Sequence, residues 1–276
     1  MSGPRLVGLR IVVTRPRVRS EELCFLLEEE GAEVVDLPML ELQPPSDARG
    51  LRAAAETLGR FAWVAFASAA AVEALAEAAR TAGTSAVLAR LKVAAVGAGT
   101  ARAARAAGLQ VTLESQGGTG AALGRELAPM LLPGDEVLLP SAEDGRPELA
   151  LALAEATSAV AIVSAAPAPG LDEALLGGAP TLTRVAAYRS TPLGVTDAVW
   201  EDLRSRPPAA VLFASPRTAE AFVEAGGRPV LAQARVVAIG PTTATALRAL
   251  GFPAAGVAQR PEAGELVEAA VRAIHG

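Results

Sequence analysis

The 276-residue sequence has one cysteine, one histidine, one tyrosine, a single lysine (Lys92) and no asparagine. A lone thiol excludes an internal disulfide framework and a thiolate metal cluster, and favours a reducing compartment. Cys24 itself falls on a helix face, where packing is the expected role. His275, next to the end of the sequence where chains fray, leaves no histidine set for a general base or a metal site. Lys92 precedes a strand and reads as solvated, which disfavours Schiff-base chemistry. There is no GxxxxGK[ST], and the run GAGTARAAR lacks the last glycine of GxGxxG, so a nucleotide cofactor is not expected. Leu149 to Ala166 comes nearest to a membrane span but carries Glu155, Thr157, Ser158 and Ser164. The opening MSGPRLVGLR lacks the apolar core of a signal peptide. These absences predict a soluble, cytoplasmic protein without a nucleotide cofactor, a histidine or thiolate metal site, or a membrane span. The net charge of −5, without a basic cluster, also argues against nucleic acid as a partner. Arginine in place of lysine and the missing asparagine fit a GC-rich genome or a hot habitat and decide neither.

What is present is a duplication. Lys92 to Gly108, KVAAVGAGTARAARAAG, returns as Arg235 to Gly251, RVVAIGPTTATALRALG, with Gly97/Gly240, Thr100/Thr243 and Gly108/Gly251 all at an offset of 143. Each copy reads as an apolar strand, a glycine turn, a threonine-led helix and a glycine stop. Upstream, Phe66-Ala67-Ser68 matches Phe213-Ala214-Ser215 at an offset of 147, as a loop insertion between two copies of one unit requires. With 51% hydrophobic residues but only 3% aromatics, the cores are built from Ala, Val and Leu.

Strands alternate with helices along the chain, which predicts parallel sheets flanked by helices. Leu9 to Val13 is a buried-type strand; Ser20 is placed to cap the helix that follows, and Ala32 to Leu37 is the next strand. Pro38, Pro44 and Pro45 punctuate an extended crossing, and Leu182 to Ser190 is a second extended segment that could lie beside Asp36 to Gln43. Thr119 is placed to cap Gly120 to Leu132, and Gly145-Arg146-Pro147 opens another helix. Thr157 to Pro180 shows little periodicity, and an irregular insertion or a strand with a short helix would both fit. This order assigns residues 1–37 plus 191–276 to one α/β domain and 41–185 to a second. Two crossings would set the domains facing each other across a cleft.

In open parallel sheets ligands bind beyond the carboxyl ends of strands, where helices begin. Thr14, Ser68, Gly97, Thr100, Ser215, Gly240 and Thr243 all fall there. A hydroxyl beside a helix start, with proline in the first turn as at Ser215-Pro216 and Gly240-Pro241-Thr242-Thr243, leaves amide groups and a positive dipole end for an anion. Each position taken singly reads more readily as a plain helix cap; their recurrence in both halves favours a shared site for a carboxylate ligand.

Seven motifs in order carry a resemblance: VVTRP (Val12 to Pro16), WVAFASAAAVEAL (Trp63 to Leu75), AVGAGTARAARAAG (Ala95 to Gly108), GRPEL (Gly145 to Leu149), VAAYRSTP (Val185 to Pro192), FASPRTAEAF (Phe213 to Phe222) and AIGPTTATALRALG (Ala238 to Gly251). Together they span nearly the whole chain, which resembles the uroporphyrinogen-III synthase family. The resemblance implies two flavodoxin-like domains joined by a two-stranded linker, with the cleft between them. It implies cyclisation of hydroxymethylbilane, a linear tetrapyrrole with eight carboxylates, to uroporphyrinogen III, with loss of water and inversion of the last ring. This is a step towards haem, sirohaem and cobalamin that needs no cofactor. It further implies a monomer that could receive its substrate from hydroxymethylbilane synthase.

Carried over position by position, the resemblance makes Tyr188 the candidate proton donor; as the only tyrosine it could equally be a packed aromatic. Thr100, Ser215, Thr242 and Thr243 correspond to substrate-binding hydroxyls, joined by Ser68 as the duplicate of Ser215 and by Thr14 at its strand end, and Arg15 and Arg146 to arginines that would pair with propionates or else be structural. Pro140-Ser141 departs from the Arg-Gly usual after that strand, and Thr157 to Pro180 has no counterpart. Two rival readings stand beside this one. A two-domain solute-binding protein would share the hinged cleft, and a transferase with a nucleotide-activated donor would need acidic metal ligands at strand ends. Turnover without added metal or nucleotide separates the three.

Overall fold

The structure, a computed structural model, describes residues 3–157, 160–163 and 180–276. Among these, twelve strands occur: β1 (Arg10–Val13), β2 (Glu33–Asp36), β3 (Leu40–Gln43), β4 (Trp63–Phe66), β5 (Lys92–Ala95), β6 (Val111–Glu114), β7 (Glu136–Ala142), β8 (Val160–Val163), β9 (Thr181–Pro192), β10 (Ala210–Phe213), β11 (Arg235–Ala238) and β12 (Gly256–Val257). The chain divides into two compact units, one made of Met1–Glu41 with Thr191–Gly276 and the other of Leu42–Ser190.

The first unit has a five-stranded sheet in the order β12-β11-β10-β1-β2. Every neighbouring pair is parallel, with Ile11 opposite Ala210 and Val34. Because both faces of a parallel sheet are covered, the inner strands β1, β10 and β11 are apolar beyond Arg10 and Arg235 at their starts, and alternate residues feed two cores. Ile11, Val13, Leu212 and Val237 pack with helices Glu21–Glu29 and Ala263–His275. Val12, Val211, Phe213 and Val236 pack on the other face with helices Asp197–Ser205, Pro216–Glu224 and Pro241–Ala249.

The second unit has a seven-stranded sheet running β3-β9-β7-β4-β5-β6, with β8 also paired to β9. Its core residues again alternate. Val64, Phe66, Val93 and Leu138 face helices Arg49–Glu56, Ala69–Thr81 and Ala98–Ala106, while Trp63, Ala65, Val137 and Leu139 face helices Gly120–Leu127 and Glu148–Thr157. These last two helices touch so closely at Gly124 that a Cβ there would lie 2.9 Å from the Leu149 carbonyl. The second extended segment does lie beside the first, as the pairing of β9 with β3 shows.

The two sheets correspond with a shift of chain entry. If β4, β5 and β6 match β10, β11 and β12, the common order makes β7 the counterpart of β1 and β9 that of β2. The glycine stops also match. Gly108 (φ 79) and Gly251 (φ 91) take the left-handed conformation that closes a helix, and the following amides, Leu109 and Phe252, donate back to Ala104 and Leu247, each at 2.9 Å.

Several boundaries differ from expectation. The helix after Thr119 ends at Leu127 and tightens into a 3₁₀ turn over Ala128–Met130, where Pro129 lacks the amide to continue it. Within Thr157 to Pro180, residues 160–163 form β8, parallel to β9; residues 164–179 lie outside the described residues. His275 is the last residue of helix Ala263–His275, and its Nε2 lies 2.7 Å from the Arg5 carbonyl oxygen.

Candidate active site

The strand order switches direction between β1 and β10 in the first unit and between β7 and β4 in the second. Such a switch point is where diverging loops leave room for a ligand. The predicted site residues Thr14, Arg15 and Ser215 flank the first, and Ser68 and Arg146 the second.

In the second unit, Ser68 holds an extended conformation at the start of helix Ala69–Thr81, and its Oγ accepts the Ala71 amide at 3.2 Å. The same oxygen lies 3.1 Å from the Tyr188 hydroxyl. Both side chains are half-buried. With one lone pair of Ser68 taken by an amide, its O–H is free to donate to the phenol oxygen; the phenol proton then points elsewhere and a phenolate would keep a donor. Tyr188 is further fixed through its backbone, whose carbonyl accepts the Glu143 amide at 2.7 Å.

Gly97 and Gly240 begin helices Ala98–Ala106 and Pro241–Ala249 without a side-chain cap. Their backbones are extended, at φ 166 and −180, which any residue adopts, and a Cβ would meet nothing within 4 Å. Neither turn geometry nor packing inside the chain therefore calls for glycine. What the missing side chains leave at both starts is open approach to backbone amides at the positive end of a helix, the arrangement that binds carboxylates.

Arg15 follows β1 half-buried, and among the described residues no carboxylate forms an ion pair with it. Burial first, and then the like charge of Arg19, lowers its pKa, with Glu22 acting in the opposite direction. A guanidinium so placed stays charged and gains from an incoming anion. Arg146 is exposed, with Nη1 3.7 Å from Glu148.

The other predicted hydroxyls divide. Ser215 caps its helix by accepting the Thr218 amide at 3.2 Å, and Thr242 is exposed beside Gly240. Thr14, Thr100 and Thr243 point inward, at 0%, 6% and 2% exposure. Thr14 donates to the Leu212 carbonyl at 2.8 Å and so ties β1 to β10; this corrects its reading as a ligand hydroxyl, since the group is sealed inside the sheet. Thr100 and Thr243 occupy the third position of their helices, on the side that packs against the sheet, so at those two starts the amides are the groups open to a ligand. The Ser20 cap is also corrected. Ser20 is helical (φ −90, ψ −22) after a 3₁₀ turn, and its hydroxyl donates back to the Arg17 carbonyl at 3.1 Å. Among the described residues, no cluster of His, Cys, Asp or Glu is arranged to hold a metal ion, and no helix is long and apolar enough to cross a membrane.

The sheets and their order define a duplicated, doubly wound α/β protein with helix-start amides and hydroxyls at its strand ends. The sequence model of the uroporphyrinogen-III synthase (HemD) family matches residues 21–165 and 155–268. The chain belongs to that family. A uroporphyrinogen-III synthase of Synechococcus elongatus is 37% identical over 75 residues, 27% of this chain and 28% of that protein. A porphyrin biosynthesis protein HemD of Ruminiclostridium josui is 33% identical over 105 residues, 38% of this chain and 21% of the other. The chain thus spans less than a third of the length of either relative. Solved uroporphyrinogen III synthases share the fold. One from Thermus thermophilus has a TM-score of 0.62 at 22% identity, covering 97% of this chain and 99% of that one, and one from Helicobacter pylori has 0.58 at 18%, covering 94% and 97%.

Proposed function

We propose that the chain is a uroporphyrinogen-III synthase, a cyclising hydro-lyase that converts hydroxymethylbilane to uroporphyrinogen III with loss of water. The observation that carries this reading is the Ser68–Tyr188 hydroxyl pair, 3.1 Å apart at a helix start beside the switch point. Departure of the terminal hydroxyl breaks a C–O bond and requires a proton on the leaving oxygen. The Tyr188 phenol supplies it, water leaves, and Ser68 donates to the phenolate oxygen. The substrate is left as a pyrrole-stabilised cation. Attack by the substituted carbon of the last ring gives a spiro intermediate, whose reopening and reclosure inverts that ring. The proton released on rearomatisation restores the phenol, so the sum is substrate to macrocycle plus one water.

The helix-start amides beyond Gly97 and Gly240, the hydroxyls of Ser215 and Thr242 and the guanidinium groups of Arg15 and Arg146 suit the substrate's carboxylates. Holding a flexible chain with its reacting carbons in near-attack geometry supplies much of the rate. The protein would act in the cytoplasm as a monomer, taking an unstable substrate directly from hydroxymethylbilane synthase.

The test is to add purified protein to freshly generated hydroxymethylbilane with chelator present and to separate the oxidised porphyrin isomers. Type III as the main product supports the reading. Only type I, as ring closure without inversion gives, from folded protein overturns it.

A further inference from the structure

We propose that Arg184 is a positioning residue for Tyr188: by clamping the end of β7 against β9 it fixes the register shift that turns the phenol towards Ser68. The inference rests on the role of Tyr188 proposed above. Arg184 lies in β9 opposite Leu139 of β7. Its Nε donates to Ser141 Oγ at 3.0 Å and its Nη2 to the Gly145 carbonyl at 2.6 Å, with the Ala142 carbonyl at 3.5 Å. One planar, charged fork thus spans acceptors from the last part of β7 to the turn that follows. That turn is tight, since Gly145 donates to the Ala142 carbonyl at 3.0 Å and a Cβ on Gly145 would lie 2.9 Å from the same oxygen.

The clamp sits at a break in the ladder. Ser141 pairs with Ala186 but Ala142 pairs with Tyr188, so Ala187 is an extra residue on β9. In a regular strand Val185 and Ala187 would face one way and Tyr188 the other. Here Val185 and Ala187 belong to the core cluster beneath helix Ala69–Thr81, and Tyr188 packs against that same cluster. A bulge re-aims a side chain in this way. The amide of Glu143, inside the clamped turn, then donates to the Tyr188 carbonyl at 2.7 Å and completes the link from Arg184 to the phenol. Without the clamp, Ala142 is free to slip to Ala187, and the phenol loses its aim at Ser68.

Tyr188 is the only tyrosine, so protein labelled at the tyrosine ¹³Cζ carries one phenol resonance, readable without substrate. Ser68→Ala marks where that resonance falls when the hydroxyl partner is lost. Arg184→Gln is expected to move it in the same direction and to lower kcat about tenfold with KM changed by less than about threefold. Arg184→Lys, which keeps the charge but not the fork, should fall between. A folded Arg184→Gln with the wild-type resonance and wild-type kcat overturns the proposal, as does one that loses only thermal stability. If Arg184→Gln fails to fold, Ser141→Ala and Arg184→Lys take its place: a smaller shift in the same direction supports the clamp, and an unmoved resonance in both refutes it. Absence of turnover in the wild type would sink the synthase reading and still leave the resonance to decide the role of Arg184.

Discussion

Ser68 and Ser215 hold the same post in the two halves of the chain. Their backbones agree within a few degrees (φ −160, ψ 153 and φ −161, ψ 158), and each Oγ accepts the amide three residues on at 3.2 Å. They differ in a second partner, which is the Tyr188 phenol for Ser68 and the Thr218 hydroxyl, at 3.3 Å, for Ser215. Ser68→Ala and Ser215→Ala should therefore each lose about 1 kcal/mol of stability with the cap. Only Ser68→Ala should also lower kcat, while Ser215→Ala should act mainly on KM. Denaturant unfolding and steady-state kinetics on the two variants check both halves, and equal kcat losses would count against the distinction.

Tyr188→Phe removes one oxygen and keeps the ring that packs against the core. Turnover should drop at least about tenfold with KM and melting temperature little changed. Near-normal turnover would remove the phenol from the chemistry and leave substrate positioning as the main effect.

Gly97→Ala and Gly240→Ala test whether the open helix starts serve a ligand. Since the backbone is extended and a Cβ meets nothing, both variants should fold within about 1 kcal/mol of wild type. A methyl group over the first amides should nevertheless raise KM severalfold. Unchanged KM in both would show that no substrate carboxylate approaches there.

Arg5 sits between Glu30 and Glu268, with hydrogen bonds of 2.6 Å to each. Those bonds are the main cause holding both carboxyl groups below their ordinary range. A depressed carboxylate contributes stability above its unfolded pKa and loses it as pH falls through the folded value. Arg5→Met should then lower the melting temperature near pH 7, and the gap from wild type should close as pH drops below about 4. Partial exposure of all three side chains keeps the effect small and sensitive to salt. A gap that stays constant down to pH 2 would assign the loss to packing instead.

Much of the fold was legible because it is written locally. The run from Lys92 to Gly108 carries its own strand, turn, helix and stop, and its repetition at Arg235 announced a second copy. Thr119 acts as the expected cap because the residue is extended, at φ −127, ψ 155, with its Oγ accepting the Ala122 amide at 3.1 Å. Ser20 does not, because the preceding 3₁₀ turn already holds it helical, and no pattern of residue types reports that dihedral. Thr100 and Thr243 were readable as hydroxyls at helix starts. Which way they point depends on the helix face that meets the sheet, and that face takes them inside. The pairing of Ser68 with Tyr188 joins residues 120 positions apart through a one-residue bulge, which no local pattern contains. Arg184 left one signal, a charge inside the otherwise uncharged run TLTRVAAY, and only the turn it binds gives that charge a purpose.

The shifted entry of the chain into its two matching sheets has a consequence for birth on the ribosome. Leu42–Ser190 is continuous, so every strand of its sheet from β4 to β9 has been made before β10 exists. β1, by contrast, waits for Ala210 to come opposite Ile11, and at ordinary synthesis rates that delay is on the order of ten seconds or more. During it, the β1 edge that β10 will cover has no strand on it.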